Sequence, residues 1–318
     1  MVQPRGNLTH HALRQRCRRG VWMERLLNGL AFAALLAAAA YVGRRLGCER
    51  QAVEGMGIVF AGCMAYAWAF VPWHVRRVTK GDGVGYAAER ARIQRLLGPL
   101  AAHARMPVPR VLIIPAQAGN SYAAGISRGH QDIGVTTGAL RRLSDPELEA
   151  LLAHELAHLY HHDTLFQGWW AAFLGMVMAA AVIIFAGAVM LTMDSNTKRK
   201  SRESEGEMAM FGLALAAAAI VFGAGAWLVL ALWIRQDERR RELSADDQAM
   251  AWIADPQVLG RALKKLEGHG TLFDGVQPLG LLFSVNAVSA AHWYSRAFAA
   301  HPSMTRRLSR IAQGAARH

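Results

Sequence analysis

The chain has 318 residues, 53% of them hydrophobic and only 19% charged, with 36 Lys and Arg against 23 Asp and Glu for a net charge of +13. Such hydrophobicity excludes a disordered chain. Three cysteines (Cys17, Cys48 and Cys63) with no C-x-x-C pair exclude a disulfide framework, a zinc ribbon and a dithiol redox motif. The basic surplus fits nucleic acid, an anionic lipid surface or membrane topology, and the placement of the charges separates these.

Residues 1–20 form a basic segment containing Arg5, Arg14, Arg16, Arg18 and Arg19. It leads into an apolar run without a small-residue cleavage site, so that run reads as an anchor and not as a removable signal. Apolar runs at 26–42 and 55–73, within 21–74, are followed by two more at 165–193 and 208–234, within 165–234. Each is near or above the roughly 18 residues needed to span a bilayer. A large soluble helical core is the rival reading, but a buried soluble helix normally keeps a polar face, and 208–234 contains no charged residue. Trp22, Trp73, Trp169 and Trp233 lie near the ends of the runs, as interfacial belts require.

Four spans put the N-terminal arginines, the group Arg76, Arg77 and Lys80, and the group Arg235, Arg239, Arg240 and Arg241 on one side, which the positive-inside rule makes cytoplasmic. The opposite loops also carry basic residues: Arg44, Arg45 and Arg50 in one, and Lys198, Arg199, Lys200 and Arg202 in the other, at 194–207. Because the basic residues gather at span ends with no aromatic stacking motif beside them, a nucleic-acid partner is not expected. The polar segments 75–164 and 235–318 share the cytoplasmic side and together reach domain size, so the soluble part is expected to be discontinuous, with a hairpin of two spans inserted.

In the first polar segment, the β-branched run at 111–114 ends at Pro115, and 132–136 follows a turn at Arg128-Gly129, which predicts a small sheet. Ser144-Asp145-Pro146-Glu147 is a capping box with proline in the first turn, so a helix starts here. That helix carries His154-Glu155-Leu156-Ala157-His158, the H-E-x-x-H pattern. Histidines four apart stand one turn apart on one face and can reach a single ion, for which Zn²⁺ is the natural choice with nitrogen ligands. Glu155 is then placed as general base. His161 and His162 read as solvated or capping residues, and Asp163 as a helix-end group that supports a ligand. A third ligand is still needed. Glu242 is the candidate, with Asp246 one turn later on the same face, able to accept the free ring N–H of a ligating histidine. Taken alone, Glu242 and Asp246 also fit a solvated helix face beside Arg239–Arg241.

The ordered set Asn120-Ser121-Tyr122-Ala123-Ala124-Gly125, Val135-Thr136-Thr137-Gly138-Ala139-Leu140, His154 to His158 with Asp163, Glu242 to Asp246, and His301-Pro302-Ser303 with Arg307 resembles the HtpX-type membrane zinc metalloproteases, relatives of the CAAX prenyl endopeptidases. The resemblance covers nearly the whole chain. It implies a mainly α-helical α+β membrane protein of four transmembrane helices, with a gluzincin-type metalloprotease domain carrying a small β-sheet. It implies one Zn²⁺ per chain on His154, His158 and Glu242, with Glu155 as base, and proteolytic quality control of membrane proteins in a bacterial inner membrane under stress. By the same resemblance, the segment from Asn120 through Ala123 is an edge strand beside the metal, where an extended substrate binds by strand addition. His301 and Arg307 lie near the site and are candidate donors to the oxyanion. An ordinary turn residue at Asn120 and a surface histidine at His301 are equally compatible with the residues themselves.

The expected activity is therefore metal-assisted hydrolysis of peptide bonds at the cytoplasmic membrane face. The rival is a non-proteolytic membrane scaffold or chaperone-like adaptor with a structural zinc site, which the presence of Glu155 disfavours.

Overall fold

The structure is a computed structural model; it describes residues 85–127, 129–163, 202–267 and 302–316, together with isolated helical positions between 26 and 65 and at 185. The chain divides into two compact units: one of Met1–Ala37, Trp68–Gln167 and Arg235–His318, the other of Ala38–Ala67 and Gly168–Ile234. The described elements, in chain order, are α1 (Ala87–Ala104), β1 (Arg110–Ile114), β2 (Ser121–Ser127), β3 (His130–Thr136), α2 (Thr137–Arg142), α3 (Asp145–His161), α4 (Arg202–Trp252), α5 (Gln257–Leu266) and α6 (Met304–Ala315).

In the first unit the small sheet expected from the sequence has the order β1-β3-β2. β1 runs parallel to β3, with Val111 opposite Ile133 and Ile113 opposite Val135. Val111, Leu112, Ile113 and Ile114 are all buried, as suits a strand of a parallel pair covered on both faces. β2 is antiparallel to β3 and forms an edge. Tyr122 sits opposite Gly134, and its ring lies so close that a Cβ on Gly134 would stand 2.0 Å from it, so only glycine fits at that register position.

The sheet is locked to α2 by one side chain. The Thr136 hydroxyl donates to the Asn120 carbonyl at 3.0 Å and accepts from the N–H groups of Asn120 (2.9 Å) and Ala139 (3.1 Å), so it joins β3, the start of β2 and the N-terminus of α2. Gly138 follows, and a Cβ there would meet the Gln117 carbonyl oxygen at 2.1 Å.

α3 begins as the capping box predicts: the Glu147 carboxylate accepts from the Ser144 N–H (2.9 Å) and hydroxyl (2.8 Å), and Pro146 occupies the first turn. The helix is buried nearly all round. Leu148, Leu151, Leu152, Leu156 and Leu159 pack among Ile93, Leu97 and Leu100 of α1, the sheet residues Ile113 and Ile133, and Leu259 and Leu263 of α5. At roughly 2 kcal/mol for each fully buried leucine, this core holds α3 rigidly. Its polar residues are therefore buried with it and have to be paired. α6 closes the unit, with Ile311 against Gly260 of α5.

Among the described residues no helix is long and apolar enough to cross a membrane. The expected spans at 26–42, 55–73 and 165–193 lie largely outside the described residues. Of the fourth, at 208–234, the backbone is continuous α-helix within α4. Its large apolar side chains are exposed in number: Met210, Leu213, Ile220, Val221, Leu228, Leu232 and Trp233 are each more than 40% exposed.

Candidate metal centre

In the first unit, α3 and the part of α4 from Arg235 onward face each other with complementary chemistry. From α3, His154 and His158 present Nε2 atoms 3.2 Å apart, on rings at 89° to one another. From α4, Glu242 places Oε1 3.4 Å from His158 Nε2 and Oε2 3.6 Å from His154 Nε2. These three residues form the one group of potential metal ligands among the described residues, with their ligand atoms all within 4.8 Å of one another. A tetrahedron with zinc-to-ligand bonds of about 2.0–2.1 Å has edges of about 3.3–3.4 Å, close to the separations found. The donor set thus fits a tetrahedral cation with its fourth corner open.

The far side of each imidazole is fixed. His154 Nδ1 lies 2.9 Å from Asp246 Oδ1, and His158 Nδ1 lies 2.7 Å from Asp163 Oδ2. When each ring is neutral with its proton on Nδ1, donating to the carboxylate, Nε2 has its lone pair free on the side of Glu242, the arrangement that orients histidine ligands and makes them better donors. Asp246 and Glu242 share a face of α4 because they are four residues apart. Asp163 reaches His158 by another route. The C-cap His162 is in the left-handed region (φ 60°), which reverses the chain at the end of α3 and brings the following carboxylate back over the last turn. Arg241 holds that turn by donating to the Asp163 carbonyl at 3.0 Å, and is itself paired with Asp237.

Arg307, on α6, one of the two candidate donors to the oxyanion, directs its guanidinium at the two carboxylates of α4. Nε and Nη2 form a bidentate pair with Asp246 at 2.8 and 2.6 Å, and Nη1 lies 3.3 Å from Glu242 Oε2. The side chain is only 2% exposed. Burial opposes the ionisation of Asp246, yet Arg307 and His154 hold its carboxyl down to about 2. Burial likewise opposes protonation of His158, but its bonds to Asp163 and Glu242 push its pKa well above the ordinary value. One helical turn from Arg307, Arg310 pairs with Asp247 at 3.0 and 2.6 Å, so α6 is tied to α4 at two consecutive carboxylates.

Glu155 follows the first histidine and is 1% exposed. Burial raises its pKa, against the pull of His154, His158 and a hydrogen bond from Ser121. That bond, from Ser121 Oγ to Glu155 Oε1 at 2.6 Å, was not anticipated from the sequence, because it depends on strand register. Asn120 and Ala123, expected at the substrate edge, are both buried in or beside β2. The Asn120 side-chain oxygen accepts from the Ser121 N–H at 2.9 Å, and Ala123 lies opposite Ile133. His301 falls outside the described residues. His162 caps α3, but His161, expected to be solvated, is 4% exposed and edges against Tyr160.

Comparison with known proteins bears on the family of the chain. The model of peptidase family M48 matches residues 87–315. A protease HtpX homolog of Acaryochloris marina is 35% identical over 215 residues, covering 67% of this chain and 68% of that protein. One of Pyrococcus furiosus is 26% identical over 299 residues, covering 92% and 95% of the two chains. Among solved structures, S. mikatae Ste24p shares the fold, with a TM-score of 0.53 at 16% identity over 92% of this chain and 66% of that one. The resemblance carried by the ordered motifs is borne out: the chain belongs to peptidase family M48 and is HtpX-like.

Proposed function

We propose that this protein is a membrane-anchored zinc endopeptidase. The observation that carries the reading is the convergence of His154, His158 and Glu242 within 4.8 Å, with Glu155 adjoining the first histidine. In this reading the three side chains hold one Zn²⁺. When bound, zinc supplies Lewis acidity that lowers the pKa of water and polarises the scissile carbonyl. Glu155 accepts the proton of the attacking water and delivers it to the departing amine nitrogen. Asp246 and Asp163 hold the imidazoles in their ligating tautomer, and Arg307 keeps Asp246 ionised and in place. The substrate lies extended along the outer edge of β2, in the region of Asn120 and Ala123, where a strand can be added through main-chain hydrogen bonds.

Substrates on this reading are extended or unfolded segments of damaged membrane proteins, met at the cytoplasmic face of a bacterial inner membrane. Two features support a bilayer. The stretch 208–234 is uncharged helix that exposes large apolar side chains along its length. The Lys and Arg groups flank the apolar runs on the side shared by 75–164 and 235–318.

The test is proteolysis of labelled casein by the zinc-loaded protein in detergent, with a chelator control. Glu155→Gln is expected to abolish cleavage while retaining about one zinc per chain, whereas Glu242→Ala is expected to lose the metal. Full activity in the Glu155→Gln variant would remove Glu155 from the reaction.

A further inference from the structure

The general base is a glutamate with three rotatable bonds, and nothing in the H-E-x-x-H spacing says which way its carboxylate points. The structure gives it a partner from the sheet. Ser121 is fully buried, Glu155 nearly so, and their 2.6 Å separation is in the range of hydrogen bonds from a hydroxyl to an ionised carboxylate. An ionised carboxylate only accepts, so the Ser121 hydroxyl is the donor.

Ser121 is itself held from several directions. Its N–H donates to the Asn120 side-chain oxygen, and its Cα stands opposite Val135 in the register with β3. Asn120 is in turn clamped by Thr136, whose hydroxyl and N–H both bond to the Asn120 carbonyl at 3.0 Å. The hydroxyl that meets Glu155 is thus fixed by the sheet, and α3 is fixed by its core.

From this geometry we infer that Ser121 is a positioning residue for the proton transfer: it anchors Oε1 of Glu155 and leaves Oε2 as the oxygen that receives the proton. In the step, the proton passes from water to Oε2 while the Ser121 O–H bond stays intact. The inference rests on Glu155 being the base. It adds a structural link, because the strand that would pair with substrate also holds the base, so a shift of β2 along its edge moves both.

The test uses full-length, zinc-loaded protein in detergent with labelled casein as probe, comparing Ser121→Ala, Ser121→Thr and Glu155→Gln. Ser121→Ala is expected to lower kcat about 10-fold, about 1.4 kcal/mol in the barrier, with KM and zinc content unchanged. Ser121→Thr, which keeps the hydroxyl, is expected to recover kcat to within about threefold of wild type. A second readout is independent of turnover: in metal-free protein, the infrared carboxylate band identified by subtracting the Glu155→Gln spectrum should shift in Ser121→Ala and return in Ser121→Thr. An unchanged kcat in Ser121→Ala, a loss confined to KM, or a threonine variant no better than alanine overturns the inference alone, provided that Glu155→Gln is inactive. An active Glu155→Gln overturns the inference together with the reading of the site beneath it.

Discussion

Asp246→Ala removes the carboxylate to which two independent parts of the site are attached. In the native protein Asp246 is completely buried and binds His154 through Oδ1 at 2.9 Å and Arg307 through both oxygens at 2.6 and 2.8 Å. Its carboxyl is held at about 2 against an ordinary 3.8 despite burial, which corresponds to about 2 kcal/mol of net preference for the ionised form. Deleting it costs more than that, since the Arg307 guanidinium stays buried without its bidentate partner. Breaking a buried ion pair from one side typically costs about 3–5 kcal/mol. The variant should therefore lose stability on that scale in thermal or denaturant unfolding in detergent. It should also bind zinc about 10- to 100-fold more weakly in competition with a chelator, because His154 loses its orienting acceptor. The double variant Asp246→Ala with Arg307→Met separates the two effects. Removing the buried cation should restore much of the stability but none of the zinc affinity. If the single variant matches wild type in both measurements, or if the double variant regains zinc affinity, the carboxylate is not the joint between metal ligand and α6 that its contacts make it.

Two more outcomes follow from packing and from charge. Gly138→Ala should destabilise the protein by about 1–3 kcal/mol, as overpacking does, because the new methyl meets a backbone carbonyl that cannot rotate away; an unchanged Tm would show that the β3–α2 junction is looser than described. Glu147 opens α3 and accepts from Ser144 and Lys265, and although burial opposes its ionisation these bonds lower its pKa below the ordinary 4.5. A depressed carboxylate contributes stability that is complete above the unfolded value and lost as pH falls through the folded one. Glu147→Gln should accordingly be less stable than wild type at pH 7, with the gap closing as pH falls below the ordinary 4.5 and through the lowered folded value; a gap that persists at low pH would assign the effect to shape and not charge.

How much of this was legible in the residues depends on how local each relation is. The start of α3 could be read because a capping box lies within four consecutive residues, and the shared face of His154 and His158, or of Glu242 and Asp246, follows from one helical turn of spacing. Asp163 was harder. Five residues beyond His158, it would lie off the ligand face of a continued helix, and only the left-handed His162 returns it. Ser121 was invisible as a partner of Glu155, since the bond joins a strand to a helix 34 residues on and requires the sheet register. For His161 a position near a helix end suggests a solvated or capping residue, yet it is neither, because α3 is enclosed on nearly all sides and His162 is the cap. Arg307 was placed near the site on resemblance, but its engagement with Asp246 and Glu242 depends on how α6 docks, which no local pattern encodes.

The attachment of Arg307 to Asp246 also has a temporal side. A ribosome adding about 5–20 residues per second makes Glu155 roughly 8–30 s before it makes Arg307, which lies about 150 residues later. During that interval the growing polypeptide carries Glu155 and both imidazoles while the guanidinium that pairs with Asp246 and Glu242 has yet to be synthesised. The tie between α6 and α4 therefore cannot form before that last residue of the pair is made.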